Sequence, residues 1–173
     1  MQPKYSLQAN AHRRTEEAIL AGTKDLISRK GISGLSMIEI ADHSEVSRAT
    51  LYNHYRDKSA VISALITAEV EFMIELANKA GTPADALEKL SLYISTDGAL
   101  ASMRMHDKEA LTEMLSHAEH PLYVDLAKCL FGATKSAAGT GIAMRWLMGQ
   151  ALQPLTPAQS REQAELLVDR TLF

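Results

Sequence analysis

A chain of 173 residues, 46% of them hydrophobic and 5% aromatic, is long enough to bury about 70% of its unfolded surface and too apolar to stay disordered. Its single cysteine, Cys129, excludes an internal disulfide, and the first fourteen residues lack the apolar run of an export signal. The net charge of −3 is uneven: nine basic against seven acidic residues up to position 60, and nine against fourteen beyond it. That division suits a protein with one end meeting phosphate and the other meeting protein or a small molecule.

In chain order, residues 1–12 read as a loose arm, and a first helix runs from about residue 14 to residue 30, where Gly31 stops it. Two very short helices follow, at about 37–43 and 48–54. Ser36 can cap the first while Glu39 reaches back to the cap's own N–H, and Ser47 can cap the second. Ile40, Ala41, Val46, Leu51 and Tyr55 recur at roughly helical spacing and can share one small core. Arg48, Thr50, Tyr52, Asn53 and His54 are left on the outer surface, the pattern of a DNA-binding helix-turn-helix. Arg48, near the start of the second short helix, can reach a guanine edge in the major groove; outside such a motif it would be a solvated surface arginine. Asn53 can read adenine or simply be solvated. Packing is the alternative for Tyr52 and the preferred reading for Tyr55.

Asp57, Lys58 and Ser59 open a long fourth helix whose apolar residues cover more than one face: Val61, Leu65, Ala68, Phe72 and Leu76, then Ile66, Val70, Met73 and Ala77. It can touch both a head and a body. Residues 80–83 form a hinge, in which Gly81 ends one helix, Thr82 caps the next and Pro83 takes its first position. Further helices are expected at about 83–96, 98–105, 107–118, 121–132, 135–153 and 157–172, the last started by a capping box at Thr156 and Gln159. No strand-like alternation or internal repeat occurs.

A helix with Ile19 and Leu26-Ile27, then Lys30-Gly31, Leu35-Ser36, Ile40-Ala41, Val46-Ser47, Thr50-Leu51-Tyr52, His54-Tyr55 and Lys58, resembles the N-terminal domain of the tetracycline-repressor (TetR) family of bacterial transcriptional regulators. Two departures stand out. The turn between the short helices has Ser44-Glu45 where the family usually has Ala-Gly, and the first helix has Gly22 where Ala is common. A left-handed Glu45 would cost about 1 kcal/mol, and a helical Gly22 a similar ~1 kcal/mol.

The resemblance implies an all-α protein: a three-helix helix-turn-helix head over residues 1–58 and a helical effector-binding and dimerisation body over residues 59–173, with the fourth helix as connector. It implies a cytoplasmic homodimer that binds palindromic operator DNA, with repressor the expected sign, released by a small-molecule effector. Thr50, Tyr52, His54 and Lys58 match positions that hold the DNA backbone in family members, and Ser36 and Ser47 complete the expected contact set with Arg48 and Asn53. Hydroxyls, a phenol and an ammonium suit phosphate oxygens and carry little sequence information.

For the effector, Tyr93, Met103, Leu111, Met114, Leu115 and Trp146 are the candidate lining, beside Met105, Met144 and Met148. Methionines adapt to varied shapes and Trp146 could stack on a flat molecule, so the expected effector is apolar or aromatic; ordinary core packing is the alternative for each. The acids and histidines His106, Asp107, Glu109, Glu113, His117 and His120 read as surface charge, so no metal, cofactor, catalytic residue or membrane contact is expected. Dimerisation is expected through 135–153, where Ala137, Ala138, Gly141, Gly149 and Ala151 allow close approach, and through a stripe of Ala164, Leu167, Val168 and Thr171. An all-helical enzyme or a scaffold whose head only resembles the motif remains the alternative.

Overall fold

The computed structural model describes residues 4–116 and 121–169, and among them the chain forms ten helices and no strand. The head consists of α1 (Lys4–Lys30), α2 (Met37–His43) and α3 (Arg48–His54). The first helix begins well before the expected residue 14, so the segment read as a loose arm is helical from Lys4; nothing in it breaks a helix once Pro3 is passed. The expected caps are in place. Ser36 accepts from the Glu39 N–H while its own N–H donates to Glu39, and Ser47 accepts from the Thr50 N–H at 3.0 Å.

The long α4 (Lys58–Asn78) is followed by α5 (Pro83–Thr96), α6 (Gly98–His106), α7 (Lys108–Ser116), α8 (Pro121–Thr134), α9 (Ala137–Leu152) and α10 (Pro157–Val168). Three apolar cores succeed one another along α4. Val61 enters a head core with Ile19, Ile40, Ala41, Leu51 and Tyr55. Leu65 enters a middle core with Ile27, Leu35, Ala99, Met103 and Leu111, and Met73 and Ala77 join the body core around Leu87, Leu90, Leu130 and Leu147. Each fully buried Leu or Ile contributes about 1.5–3 kcal/mol, so no core depends on one side chain.

The buried edge of α4 runs Val61, Leu65, Met73, Ala77. Phe72, assigned to that face from the sequence, is instead 49% exposed, because each step of four turns the buried edge about 40° further round the helix, and by Met73 and Ala77 it has left the side that 72 occupies. The middle core joins head to body: α1 packs along α6, and the carboxylate of Asp107, between α6 and α7, accepts from the Ser33 N–H and hydroxyl, each at 2.6 Å. Burial alone would raise the Asp107 pKa; the bonds from Ser33 hold it below its ordinary value.

In the body, Ser91 and Ser95 donate to the Gln150 side-chain oxygen at 2.7 and 3.0 Å, and Ser91 also bonds Ser160, tying α5, α9 and α10 through a buried polar knot. The α10 stripe expected to meet a partner turns inward: Ala164 is fully buried, and Leu167 and Val168 pack on the body core. Thr171 lies outside the described residues, as do His117 and His120.

Candidate nucleic-acid interface and effector cavity

The turn before α3 aims the recognition helix. Glu45 takes φ 55°, the left-handed conformation that its place in the family pattern demands of a residue usually glycine. The buried Ser44 beside it lies against α1, where an added Cβ at Gly22 would sit 2.4 Å from the Ser44 hydroxyl oxygen. The two departures from the family pattern are therefore in contact with each other.

Of the eight expected DNA contacts, Arg48, Tyr52 and Asn53 stand exposed on α3 without a side-chain hydrogen bond among the described residues. Ser36 and Ser47 are also exposed, but their hydroxyls serve as caps, and Thr50 bonds Ser47 at 2.7 Å. His54 stacks on His12 of α1 with ring centroids 4.0 Å apart. Burial, with the charge of His12 in second place, lowers the His54 pKa, which favours the uncharged ring at neutral pH. Lys58 stands apart: its ammonium donates to the Ile32 carbonyl at 3.3 Å and lines a cleft behind the head. Tyr55 is packed, as the sequence favoured, with its hydroxyl donating to Glu16 at 3.0 Å.

That cleft, about 540 Å³, lies between α4 and α7–α8, with Ile62, Ile66, Met114 and Tyr123 in its walls. It shares Ile32, Ile62, Ile66, Val70 and Met114 with an inner chamber of about 150 Å³ between α1, α4, α5 and α6. Of the residues expected to line a pocket, Tyr93, Met103 and Met114 meet in the chamber. Leu111 and Leu115 belong to the middle core, and Trp146 packs against the body core with its indole N–H donating to Gln163 at 2.6 Å. The last three line neither space, so a tryptophan signal is no direct reporter of occupancy.

One group in the chamber wall was missed in the sequence. Lys24 of α1 reaches Glu69 of α4 at 2.5 Å and Asp97 at 2.8 Å, and also donates to the Tyr93 hydroxyl, which itself donates to Glu69 at 2.6 Å. Burial works against the Lys24 charge, yet the bonds to Asp97, Glu69 and Tyr93 outweigh it and hold the ammonium firmly protonated. The signal was there: Lys24 follows Leu20 by four and precedes Ile27 by three, and Glu69 lies midway between Leu65 and Met73. Charges on two buried stripes that face one another mark an internal ion pair.

No helix among the described residues is long and apolar enough to cross a membrane. Residues 19–65 match the family described as bacterial regulatory proteins, tetR family. Over 48 residues the chain is 40% identical to an uncharacterized HTH-type transcriptional regulator, YdeS, of Bacillus subtilis (strain 168); this is 28% of the chain and 24% of that protein's length. Two solved structures share the fold over nearly the whole chain. The dihydroxyacetone kinase operon activator DhaS superposes with a TM-score of 0.63 at 16% identity, covering 92% of this chain and 97% of that one. The TetR family repressor AlkX from Dietzia sp. strain DQ12-45-1b, implicated in biodegradation of n-alkanes, gives 0.63 at 17% identity, covering 88% and 92%. The head therefore matches the tetR family of bacterial regulatory proteins in sequence over residues 19–65, and the chain shares the fold of these solved structures over nearly its whole length.

Proposed function

We propose that this protein is a cytoplasmic, ligand-responsive transcriptional regulator with no enzymatic activity, which binds palindromic operator DNA as a homodimer and releases it when a small molecule occupies the body. The observation that carries the reading is the unpartnered row of Arg48, Tyr52 and Asn53 on a recognition helix whose own polar needs are met by Ser47. Repression is the favoured sign, and activation would use the same parts. Residues 1–58 act as the reading head and residues 59–173 as the sensing and pairing body.

Base readout and backbone grip separate by substitution. Arg48→Ala should cost operator binding about 1 to 3 kcal/mol and relax sequence selectivity, whereas Lys58→Ala should weaken specific and random duplexes nearly alike. Titration of both variants at two salt concentrations checks this, and unchanged affinity in both would remove the assignment.

For the dimer, the surface that fits is a stripe on α9: Ala138, Ile142, Arg145, Gly149 and Leu152 are all exposed and fall on one face at helical spacing. Phe131 on the adjoining α8 is 49% exposed, and an added Cβ at Gly149 would meet nothing in its own chain. An exposed helical glycine costs about 1 kcal/mol against alanine, a cost that close approach of a second copy accounts for. Light scattering should give a dimer at micromolar concentration and a monomer for Ile142→Glu; a monomeric parent, or a dimeric variant, would contradict the stripe.

A further inference from the structure

The inner chamber has a surface chemistry and a charge that point in different directions, and together they restrict what can occupy it. Its walls are apolar, with Ile27, Leu65, Met73, Leu100 and Met103 among them. Behind that surface sit one ammonium, Lys24, and two carboxylates, Glu69 and Asp97, so the wall carries a net charge of −1. Asp97 has only 9% of its side chain exposed and Glu69 30%, so water screens this charge far less than it would at the surface. The outer cleft adds one cation, Lys58, and one anion, Glu113, and leaves the balance unchanged.

We infer that the effector is a lipophilic organic cation, whose positive group enters the inner chamber beside Glu69 and Asp97 while its apolar body extends past Met114 into the outer cleft. The inference rests on the effector-binding reading above and names the ligand class for that site. A carboxylate or phosphate head in the chamber would meet two partly buried anions that share one ammonium, with the Leu100 N–H as the further partner of Asp97. A neutral molecule satisfies the apolar walls and leaves the excess charge uncompensated. A quaternary ammonium satisfies both, because it presents methyl groups to apolar walls, carries a positive charge and needs no hydrogen-bond partner. The size agrees: a cavity of about 150 Å³ accepts a group the size of a benzene ring. The same two carboxylates hold Lys24 on α1, so a cation that draws on them also loosens a tether between the reading head and the connector helix.

Three probes of one shape separate the charge from the space: phenyltrimethylammonium, tert-butylbenzene and benzenesulfonate, each a ring bearing one tetrahedral group. Titrated into the full chain by calorimetry, the cation should bind at least tenfold more tightly than the anion. In protein labelled at the methionine methyls, it should shift the Met103 and Met114 resonances and leave Met148 in place. Glu69→Gln should abolish the cation's advantage over the anion while tert-butylbenzene binds as before. Equal binding of cation and anion, a preference for the anion, or an advantage that survives Glu69→Gln would overturn the inference, and binding of the neutral probe would then leave the effector cavity standing. No binding by any probe would overturn both. If Glu69→Gln lowers the melting temperature, the parent's ranking of the probes and the two methionine shifts decide the matter by themselves.

Discussion

Gly31→Ala should lower the stability of the protein by about 2 to 5 kcal/mol and detach the head from the body at one point. Two costs add. Gly31 has φ +76°, where an alanine loses roughly 1–2 kcal/mol. Its missing side chain is also where the body closes on the head: a Cβ there would lie 2.9 Å from the Asp107 Cβ and 3.0 Å from a carboxylate oxygen. Overpacking of this kind costs typically 1–3 kcal/mol. Displacing Asp107 would also remove the acceptor of the Ser33 N–H, so amide exchange at Ser33 should accelerate beyond what global unfolding explains. Gly31→Asn isolates the second cost, since asparagine tolerates the left-handed backbone but carries the same Cβ; it should lose stability by roughly the overpacking share. Urea unfolding of the two variants measures both, and a parent-like midpoint in each would refute the close approach.

The parts of this protein that were legible in the sequence are those fixed by neighbours in the chain. Ser36, Ser47, Thr82 and Thr156 each cap a helix through a bond to the third residue on, and a spacing of three can be read from a string of letters. The head core of Ile40, Ala41, Leu51 and Tyr55 was legible for the same reason, because two short helices and a tight turn leave few ways to bury four apolar groups. Val46 completes that cluster at its margin. The start of α1 was misplaced because a helix with little apolar stripe before Ile19 gives periodicity nothing to detect.

What lay beyond reach of the sequence is what two distant segments make together. Met103, Met114 and Tyr93 share a chamber, whereas Leu111, Leu115 and Trp146, equally apolar and equally periodic, are spent on packing. Nothing local distinguishes the two sets, since the difference is whether the helix opposite fills the space. The same holds for α10, where Ala164, Leu167 and Val168 meet their own α5 and body core while the exposed stripe is carried by α9. The Lys24–Glu69–Asp97 group is intermediate: Lys24 and Glu69 are each visible as an interruption of an apolar stripe and Asp97 as the cap of α6, but their pairing needs the packing of α1 against α4 and α6.

Gly22 and Ser44 should behave as one unit, although neither matches the family's usual residue and the sequence gives no sign that they touch. In Gly22→Ala the new methyl would lie 2.4 Å from the Ser44 hydroxyl oxygen and 3.2 Å from both Ser44 Cα and Cβ. The hydroxyl can rotate away. The Cα cannot easily move, because the Ser44 N–H is bonded to the Ile40 carbonyl at 3.0 Å in the last turn of α2. Overpacking of about 1–3 kcal/mol is offset by ~1 kcal/mol of helix propensity gained on replacing glycine, so the single variant should lose up to about 2 kcal/mol. Ser44→Gly removes the hydroxyl oxygen and the Cβ, leaving only the Cα close by, and the lost hydroxyl is buried without a hydrogen-bond partner among the described residues, so the change should cost little by itself. In the double variant the methyl enters vacated space and the propensity gain is kept. The cycle should therefore show a favourable coupling of about 1 to 3 kcal/mol, with the double variant at least as stable as the parent. Denaturant midpoints of the four proteins give the coupling directly. Operator affinity then locates its consequence: Gly22→Ala pushes on the turn that aims α3, so it should weaken DNA binding by more than its stability loss explains, and Ser44→Gly should restore it. Additive stabilities across the cycle, or a Gly22→Ala protein that binds operator like the parent, would show that the turn does not rest on α1 at this point.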